Sequence, residues 1–357
     1  MMNLDDHEVF AALDGENLLA EIESLPDQLA ATWGLAQTLD LPAWRGLRQV
    51  VIAGMGVSAL GGDLLAAYAA SLCALPVIVL RDYTLPAWAY GPETLVICAS
   101  YAGYTEEVLA ILEQAVGRSC RFLTITTGGL LAEAARQTGA TLWLYERSER
   151  TSQFYAALGY AFGLPLAVFA RLGLIPDPVA ELAEAVASMR AQQVTLGAAV
   201  PIRLNEAKRL AGQCLGRWLT VWGSDHLVPV ARYWKAQLNL IAKTPAQFEA
   251  LPEGDHNTLA GVSNPAGMLG NTMMLFLRGK SCQPRNQLRV NLTKERLMLE
   301  GLGTDFFNAK GETVLAQMFS ALHFGDYLAY YLALAYGVDP NPTGPVEELK
   351  AHLLETA

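Results

Sequence analysis

Short apolar runs alternate along this chain with longer segments whose apolar positions recur every three or four residues. The runs at 49–53, 76–81, 94–100, 122–126 and 141–145 have strand length, and residues 58–70, 105–115 and 130–137 between them carry helical spacing. Strands alternating with helices of this length predict a parallel, doubly wound sheet. A second series begins near Asn205, with a helix to Cys214, a strand at 218–222 and a helix from His226. Strands at 248–251 and 268–277, a helix from Thr293, a strand at 304–307, a long helix at 313–336 and a short one at 345–354 complete it. The pattern divides the chain into an N-terminal helical wrap (1–45), a first α/β domain (46–153), connecting helices (154–195), a second α/β domain (196–340) and a C-terminal helix (341–357).

One stretch complicates this division. Residues 153–170 carry no charge and approach spanning length. Gly159, Gly163 and Pro165 interrupt a straight helix, so a buried or interface helix is expected and no membrane span. The length of 357 residues suits two α/β domains, and 52% hydrophobic residues suffice for their cores. A net charge of −10 argues against a nucleic-acid partner. A small anion remains possible, because a helix terminus binds one locally. Five cysteines, Cys73, Cys98, Cys120, Cys214 and Cys282, form no CxxC pair and read as free thiols of a reducing, cytoplasmic protein. The acidic start (Asp5, Asp6, Glu8) does not resemble a secretory leader.

Two of the apolar runs end in distinctive loops. The first is Gly54-Met55-Gly56-Val57-Ser58-Ala59-Leu60-Gly61-Gly62. Its glycines allow a sharp turn and close approach of an anion, and the following helix contributes about half a positive charge. Its spacing is not that of a dinucleotide fingerprint, which disfavours an oxidoreductase; an ordinary tight turn is the alternative. The second is Ser100-Tyr101-Ala102-Gly103-Tyr104-Thr105-Glu106-Glu107. Ser100 and Thr105 can donate to phosphate oxygens, unless Thr105 simply caps its helix. Together the loops predict a phosphate held by Gly56, Ser58, Ser100 and Thr105 in the crevice at the strand ends.

The pair resembles the loops of the SIS (sugar isomerase) domain, which run approximately GMGGSGIGGD and SYSGNTEET. Arg232-Tyr233-Trp234-Lys235-Ala236-Gln237-Leu238-Asn239-Leu240-Ile241-Ala242-Lys243 resembles the R-x-K-x-x-x-N-E-N-A-K helix of bifunctional phosphoglucose/phosphomannose isomerases. Leu251-Pro252-Glu253-Gly254-Asp255-His256-Asn257 resembles their LPE-x-x-HN segment, and Gly337-Val338-Asp339-Pro340 with Glu348-Leu349-Lys350 their GxDP…LK ending. The resemblance implies an α/β fold of two SIS-type doubly wound domains with flanking helices. It further implies a homodimeric aldose–ketose isomerase for glucose 6-phosphate or mannose 6-phosphate, without cofactor or metal. The 153–170 stretch and the 313–336 helix offer apolar surface for the dimer.

In that family a carboxylate moves a proton between C2 and C1 through an enediolate. A histidine opens the sugar ring, a threonine and a lysine near the C-terminus line the site, and an arginine steadies the enediolate. His256 matches the histidine, and its sequence context extends toward the partner's site in the family. Lys350 matches the lysine, and Thr343 the threonine by its spacing. Three positions depart. The base position is Leu240, which accepts no proton. The arginine position is Tyr155, which carries no cation at neutral pH. Ala102 replaces a hydroxyl residue. Glu253 is the expected substitute base, with Glu249 and Asp255 near it in sequence. A general base contributes about 10²–10⁴ in rate and an electrostatic stabiliser about 10²–10³. The readings are therefore an isomerase with a relocated base, a catalytically impaired phosphosugar-binding or regulatory protein, or an enzyme using Tyr155 or Tyr101 as acid and base.

Overall fold

The computed structural model describes residues 3–6, 10, 12–146, 157–341 and 344–355, so Tyr155 and Thr343 lie outside the described residues, as does the side chain of Lys350. Helices α1 (Leu18–Glu23) and α2 (Leu25–Thr38) precede the first sheet. That sheet follows as β1 (Gln49–Ala53), α3 (Gly56–Ala69), β2 (Val77–Leu80), β3 (Thr94–Ser100), α4 (Glu106–Gly117), β4 (Arg121–Thr126), α5 (Gly129–Thr138) and β5 (Thr141–Leu144). Helices α6 (Leu158–Arg171), α7 (Val179–Leu196) and α8 (Glu206–Cys214) lead to the second sheet. It comprises β6 (Trp218–Ser224), α9 (Val228–Leu240), β7 (Ala246–Leu251), β8 (Thr272–Arg278), α10 (Pro284–Leu299) and β9 (Gly303–Asn308), followed by α11 (Val314–Tyr336) and α12 (Pro345–Glu355).

Both sheets are parallel, in the orders β2-β1-β3-β4-β5 and β7-β6-β8-β9. The β-branched content of β1 and β3 explains why both are buried on both faces. The two-residue period sorts their side chains. Val50, Ile52, Leu95 and Ile97 enter the large core, whereas Val51, Ala53, Val96 and Cys98 enter a separate core under α4. In the second sheet Leu219, Val221 and Leu275 join that same large core, while Trp222, Met274 and Phe276 face a third one. One core thus lies between the two sheets.

Helix α6 runs through that shared core, which accounts for the uncharged stretch. A Cβ on Gly61 of α3 would stand 2.4 Å from the Ala161 carbonyl oxygen, and one on Gly159 would stand 2.5 Å from Gln28 Cβ of α2. The glycines therefore mark close helix crossings. Among the described residues no helix is long and apolar enough to cross a membrane. Helix α11 is buried on all sides from Leu315 to Ala335, which corrects the expectation that it offers dimer surface: its apolar circumference is consumed within the chain. The five cysteines are free, and all but Cys73 are buried.

Two boundaries differ from the sequence pattern by more than two residues. Helix α10 begins at Pro284 and not at Thr293, because Gln283 caps it by accepting from the Arg285 and Asn286 amides at 2.5 and 3.2 Å. The charged residues of its first turns mask a narrow buried stripe of Val290, Thr293 and Leu297. Strand β8 begins at Thr272, since Ala266–Leu269 forms a single helical turn.

Core burial includes one consequential acid. Asp326 of α11 is fully buried and accepts from Tyr233 Oη at 2.8 Å and Gln237 Nε2 at 2.7 Å. Burial raises its pKa to about 7 against these two hydrogen bonds. Between pH 4 and 7 the unfolded chain ionises this acid while the folded chain holds its proton, so stability falls as pH rises through that window. Asparagine keeps the acceptor without the charge. Asp326→Asn is therefore expected to gain stability relative to wild type from pH 4 to pH 7, by on the order of a few kcal/mol. Urea denaturation of both proteins across that range measures the difference, and a pH-independent difference would refute the assignment.

Candidate functional site

The strand order places one topological switch point in each sheet. In the first, β1 leads through α3 to β2 on one side, and β3 leads through α4 to β4 on the other. Helix α3 packs on the shared core and α4 on the opposite face. The ends of β1 and β3 therefore open a crevice, the place where parallel sheets hold ligands. Both loops singled out in the sequence open there.

The β1 loop turns tightly. A Cβ on Gly54 would stand 3.1 Å from Ser58 Cβ and 3.2 Å from the Ala99 carbonyl oxygen, so Ser58 sits over the β1–β3 seam. Gly56 has φ of 51°, and the Ser58 and Ala59 amides bond back to Met55 O. The amides of Gly56 and Val57 are left without intrahelical acceptors. Met55 supplies no side-chain cap.

The β3 loop is organised by a hydroxyl pair. Ser100 Oγ and Thr105 Oγ1 are 2.8 Å apart, and Ser100 Oγ also accepts from the Gly103 amide at 3.1 Å. Thr105 precedes α4 but makes no side-chain cap bond. The simple capping role is thereby excluded, and the first amides of α4 remain open to a ligand. Ala102 is exposed at the loop tip, so the missing hydroxyl faces solvent.

A third loop, not singled out from sequence, locks the second. Thr127 donates to Tyr101 O through both its amide (3.1 Å) and its hydroxyl (2.8 Å), and the Leu131 amide donates to Gly103 O at 2.9 Å. A Cβ on Gly103, whose φ is 76°, would stand 1.9 Å from Gly128 O. The Thr-Thr-Gly-Gly run after an apolar strand was the available signal. Beside these loops Tyr101, Tyr145 and Tyr160 form a contiguous aromatic row, with ring centroids 6.4 and 5.1 Å apart. Burial raises the phenol pKa of Tyr145 and of Tyr160, which keeps both as neutral donors.

The second switch point, between β6 and β8, is different. Asp225 there adopts φ of 52°, and its carboxylate accepts from the Gln283 amide at 3.2 Å and Asn286 Nδ2 at 3.0 Å. The protein's own anion occupies the start of α10, where the first sheet presents Ser100 and Thr105.

The remaining candidates fall into two groups. Leu240 ends α9 half-buried, and Lys243 Nζ donates to the carbonyls of Leu240 at 2.6 Å and Asn341 at 3.0 Å. This ties the base position to the start of the tail. Ile241, the residue after the base position, lines one small cavity with Leu158 at the start of α6. Glu253 and His256 stand exposed on the turn after β7, and Glu253 Oε1 accepts from Asn257 at 3.2 Å. Glu249 is committed to Thr258 at 2.9 Å. Asp255 anchors the turn by accepting from Arg289 and Thr293, both at 2.7 Å. No hydrogen bond or ion pair among the described residues joins this turn to the phosphate loops. Nor are three His, Cys, Asp or Glu side chains grouped there to hold a metal.

Residues 203–353 match the family described as the bacterial phospho-glucose isomerase C-terminal SIS domain. Over 340 residues the chain is 33% identical to a bifunctional phosphoglucose/phosphomannose isomerase of Caldicellulosiruptor bescii, covering 95% of this chain and 99% of that protein. It is 31% identical over 319 residues to the enzyme of the same name from Aquifex aeolicus, covering 89% and 93%. The tagatose-6-phosphate ketose/aldose isomerase structure from Escherichia coli shares its fold, with a TM-score of 0.70 at 17% identity over 91% of this chain and 94% of that one.

Gly103→Ala is expected to dislodge the β3 loop, since the methyl meets backbone in a left-handed turn. The combined strain and clash should destabilise the protein by about 1–3 kcal/mol. Hydrogen exchange should accelerate at the Thr127 and Leu131 amides; unchanged protection there would contradict the locked-loop description.

Proposed function

Because the chain belongs to the bifunctional phosphoglucose/phosphomannose isomerase family, we propose that it binds a hexose 6-phosphate at the β1–β3 crevice. The phosphate would rest on the open amides of α3 and α4 and on the hydroxyls of Ser58, Ser100 and Thr105. The observation that carries this reading is the Ser100–Thr105 hydroxyl pair at an uncapped helix start. Two hydroxyls that could have satisfied the helix amides are instead turned to one another beside a site of positive potential.

On this reading a cytoplasmic homodimer completes the site. His256 and Glu253 are held on a firm, exposed turn, suited to reach a second copy. His256 opens the sugar ring, Glu253 exchanges the proton between C2 and C1, and Thr343 and Lys350 close over the sugar. The turnover is slow. Leu240 supplies no carboxylate, and Tyr145 and Tyr160, with raised pKa values, supply no phenolate. A displaced base forfeits part of the roughly 10²–10⁴ that a positioned one contributes. The second reading, a binding or regulatory protein without turnover, rests on the same Leu240, and kinetics separate the two.

Glucose 6-phosphate, mannose 6-phosphate and fructose 6-phosphate are expected to raise the melting temperature while the free sugars do not, since a ligand of the native state stabilises it. Ser100→Ala with Thr105→Val should reduce the shift; a shift undiminished by both substitutions would move the phosphate elsewhere. Conversion to fructose 6-phosphate should be measurable at high enzyme concentration, and complete absence of turnover leaves the binding protein. Leu240→Glu should increase kcat by at least about tenfold, toward the 10²–10⁴ expected of a positioned base. An unchanged rate would place the sugar carbons away from the end of α9.

A further inference from the structure

A crevice of about 490 Å³ opens at the ends of β8 and β9, in the second sheet and apart from the β1–β3 site. Its walls carry Arg278, Lys280 and Lys310, with no carboxylate among its lining residues. This is unusual in a chain with 35 acidic against 25 basic residues. Chance placement on such a surface would bring acidic groups to the wall.

The cations differ in how they are compensated. Lys280 pairs with Glu312 at the rim. Arg278 has no carboxylate within ion-pair distance among the described residues, and neither has Lys310. Arg278 donates through Nε to Asn308 Oδ1 at 2.8 Å and through Nη1 to Asn291 Oδ1 at 3.2 Å. Its guanidinium lies 3.6 Å from the centroid of Phe306. A cation fixed by two neutral amides and a ring face is preorganised and retains its full charge. Of the two carboxylates adjacent in sequence to the crevice wall, Glu312 pairs with Lys280, and Asp225 is engaged at the start of α10 by Gln283 and Asn286.

The walls are also rigid. Gln317 of α11 is fully buried and accepts from the Ser281 amide at 3.1 Å while donating to Ser281 Oγ at 2.7 Å and Glu312 O at 3.3 Å. One side chain thus joins the loop after β8 to the loop after β9. Beyond the cations, Gln287 Nε2 is committed to the Lys280 and Cys282 carbonyls and the Asn291 and Asn308 oxygens to Arg278, so Gln287 Oε1 and the two asparagine Nδ2 groups are what the crevice offers to hydroxyls. Its volume is that of a small-metabolite site.

We propose that this crevice is a second anion site, which binds the phosphate monoester of a small hydroxylated metabolite between Arg278 and Lys310. A sugar phosphate and free inorganic phosphate share the recognised chemistry. The site is independent of the β1–β3 crevice and uses cations where that one uses hydroxyls and helix amides.

Calorimetric titration of the full chain at low ionic strength tests this with fructose 6-phosphate, inorganic phosphate and unphosphorylated fructose as probes. Fructose 6-phosphate should show two binding events and fructose none. Lys310→Ala and Arg278→Gln should each weaken one event by about tenfold or more, as expected for a lost charge-assisted contact, and leave the other. Ser100→Ala should do the converse. Lys310 is exposed, so its variant folds and keeps the test decisive if Arg278→Gln does not. Phosphate competing as well as the sugar phosphate would assign recognition to the phosphate alone; a preference for the sugar phosphate would add the amides. A single event lost in Lys310→Ala but kept in Ser100→Ala would uphold this site and remove the β1–β3 reading. A single event abolished by Ser100→Ala, binding untouched by both Lys310→Ala and Arg278→Gln, or no binding at all would overturn the proposal.

Discussion

The close crossing of α6 with α2 and α3 sets the position of almost everything else. Gly61 and Gly159 bring backbones to distances that no Cβ tolerates, and dispersion contacts at that range are numerous. Helix α3 is thereby pinned against the shared core, and its N-terminus is aimed at the end of β1. The start of α6 carries Tyr160 of the tyrosine row and, through Leu158, lines a small cavity with Gln237 and Ile241.

The two sheets use the same topology for different electrostatics. Each has a switch point where a helix N-terminus meets the ends of two parallel strands, and each must satisfy the amides there. The second sheet does so internally, with Asp225 and with Gln283 as cap. The first leaves its amides open and keeps Ser100 and Thr105 in mutual contact. That asymmetry favours the first crevice for a dianion, because the second already holds a negative charge. The cationic crevice adjoins the second switch point through Ser224 at the end of β6, and its cation Arg278 is held away from Asp225 by Asn308 and Asn291.

The chemical groups are less concentrated than the phosphate groups. His256 and Glu253 occupy a turn fastened by Asp255 to α10. Leu240 is fastened through Lys243 to the tail. Among the described residues no hydrogen bond connects the His256 turn with the phosphate loops, whereas α9, which ends in Leu240, is tied to α3 by the Arg232–Asp63 ion pair at 3.3 Å. The proposed homodimer is what would bring the His256 turn to the phosphate loops, and on that proposal the altered position Leu240 bears on the chemistry and not on phosphate binding.

The sequence by itself determined the alternation of strands and helices, the two loops after β1 and β3, and the family resemblance, because two-residue and 3.6-residue periods and glycine–hydroxyl runs are local properties. It also exposed Leu240 as a position without a base. Only the tertiary structure decided that Thr105 pairs with Ser100 and does not cap α4, since both outcomes satisfy the same hydroxyl. The early start of α10 was hidden, because its buried stripe is narrow and its other faces are charged. The fate of the apolar helices α6 and α11 was likewise undecided in sequence: burial inside a chain, a dimer face and a membrane favour the same residues. Contacts of α6 with Gln28 and Gly61, and of α11 with Trp234, settle them as core. Nor could spacing predict that Arg278, Lys280 and Lys310 meet at one crevice, because strand order, which neither β8 nor β9 encodes alone, brings their ends together.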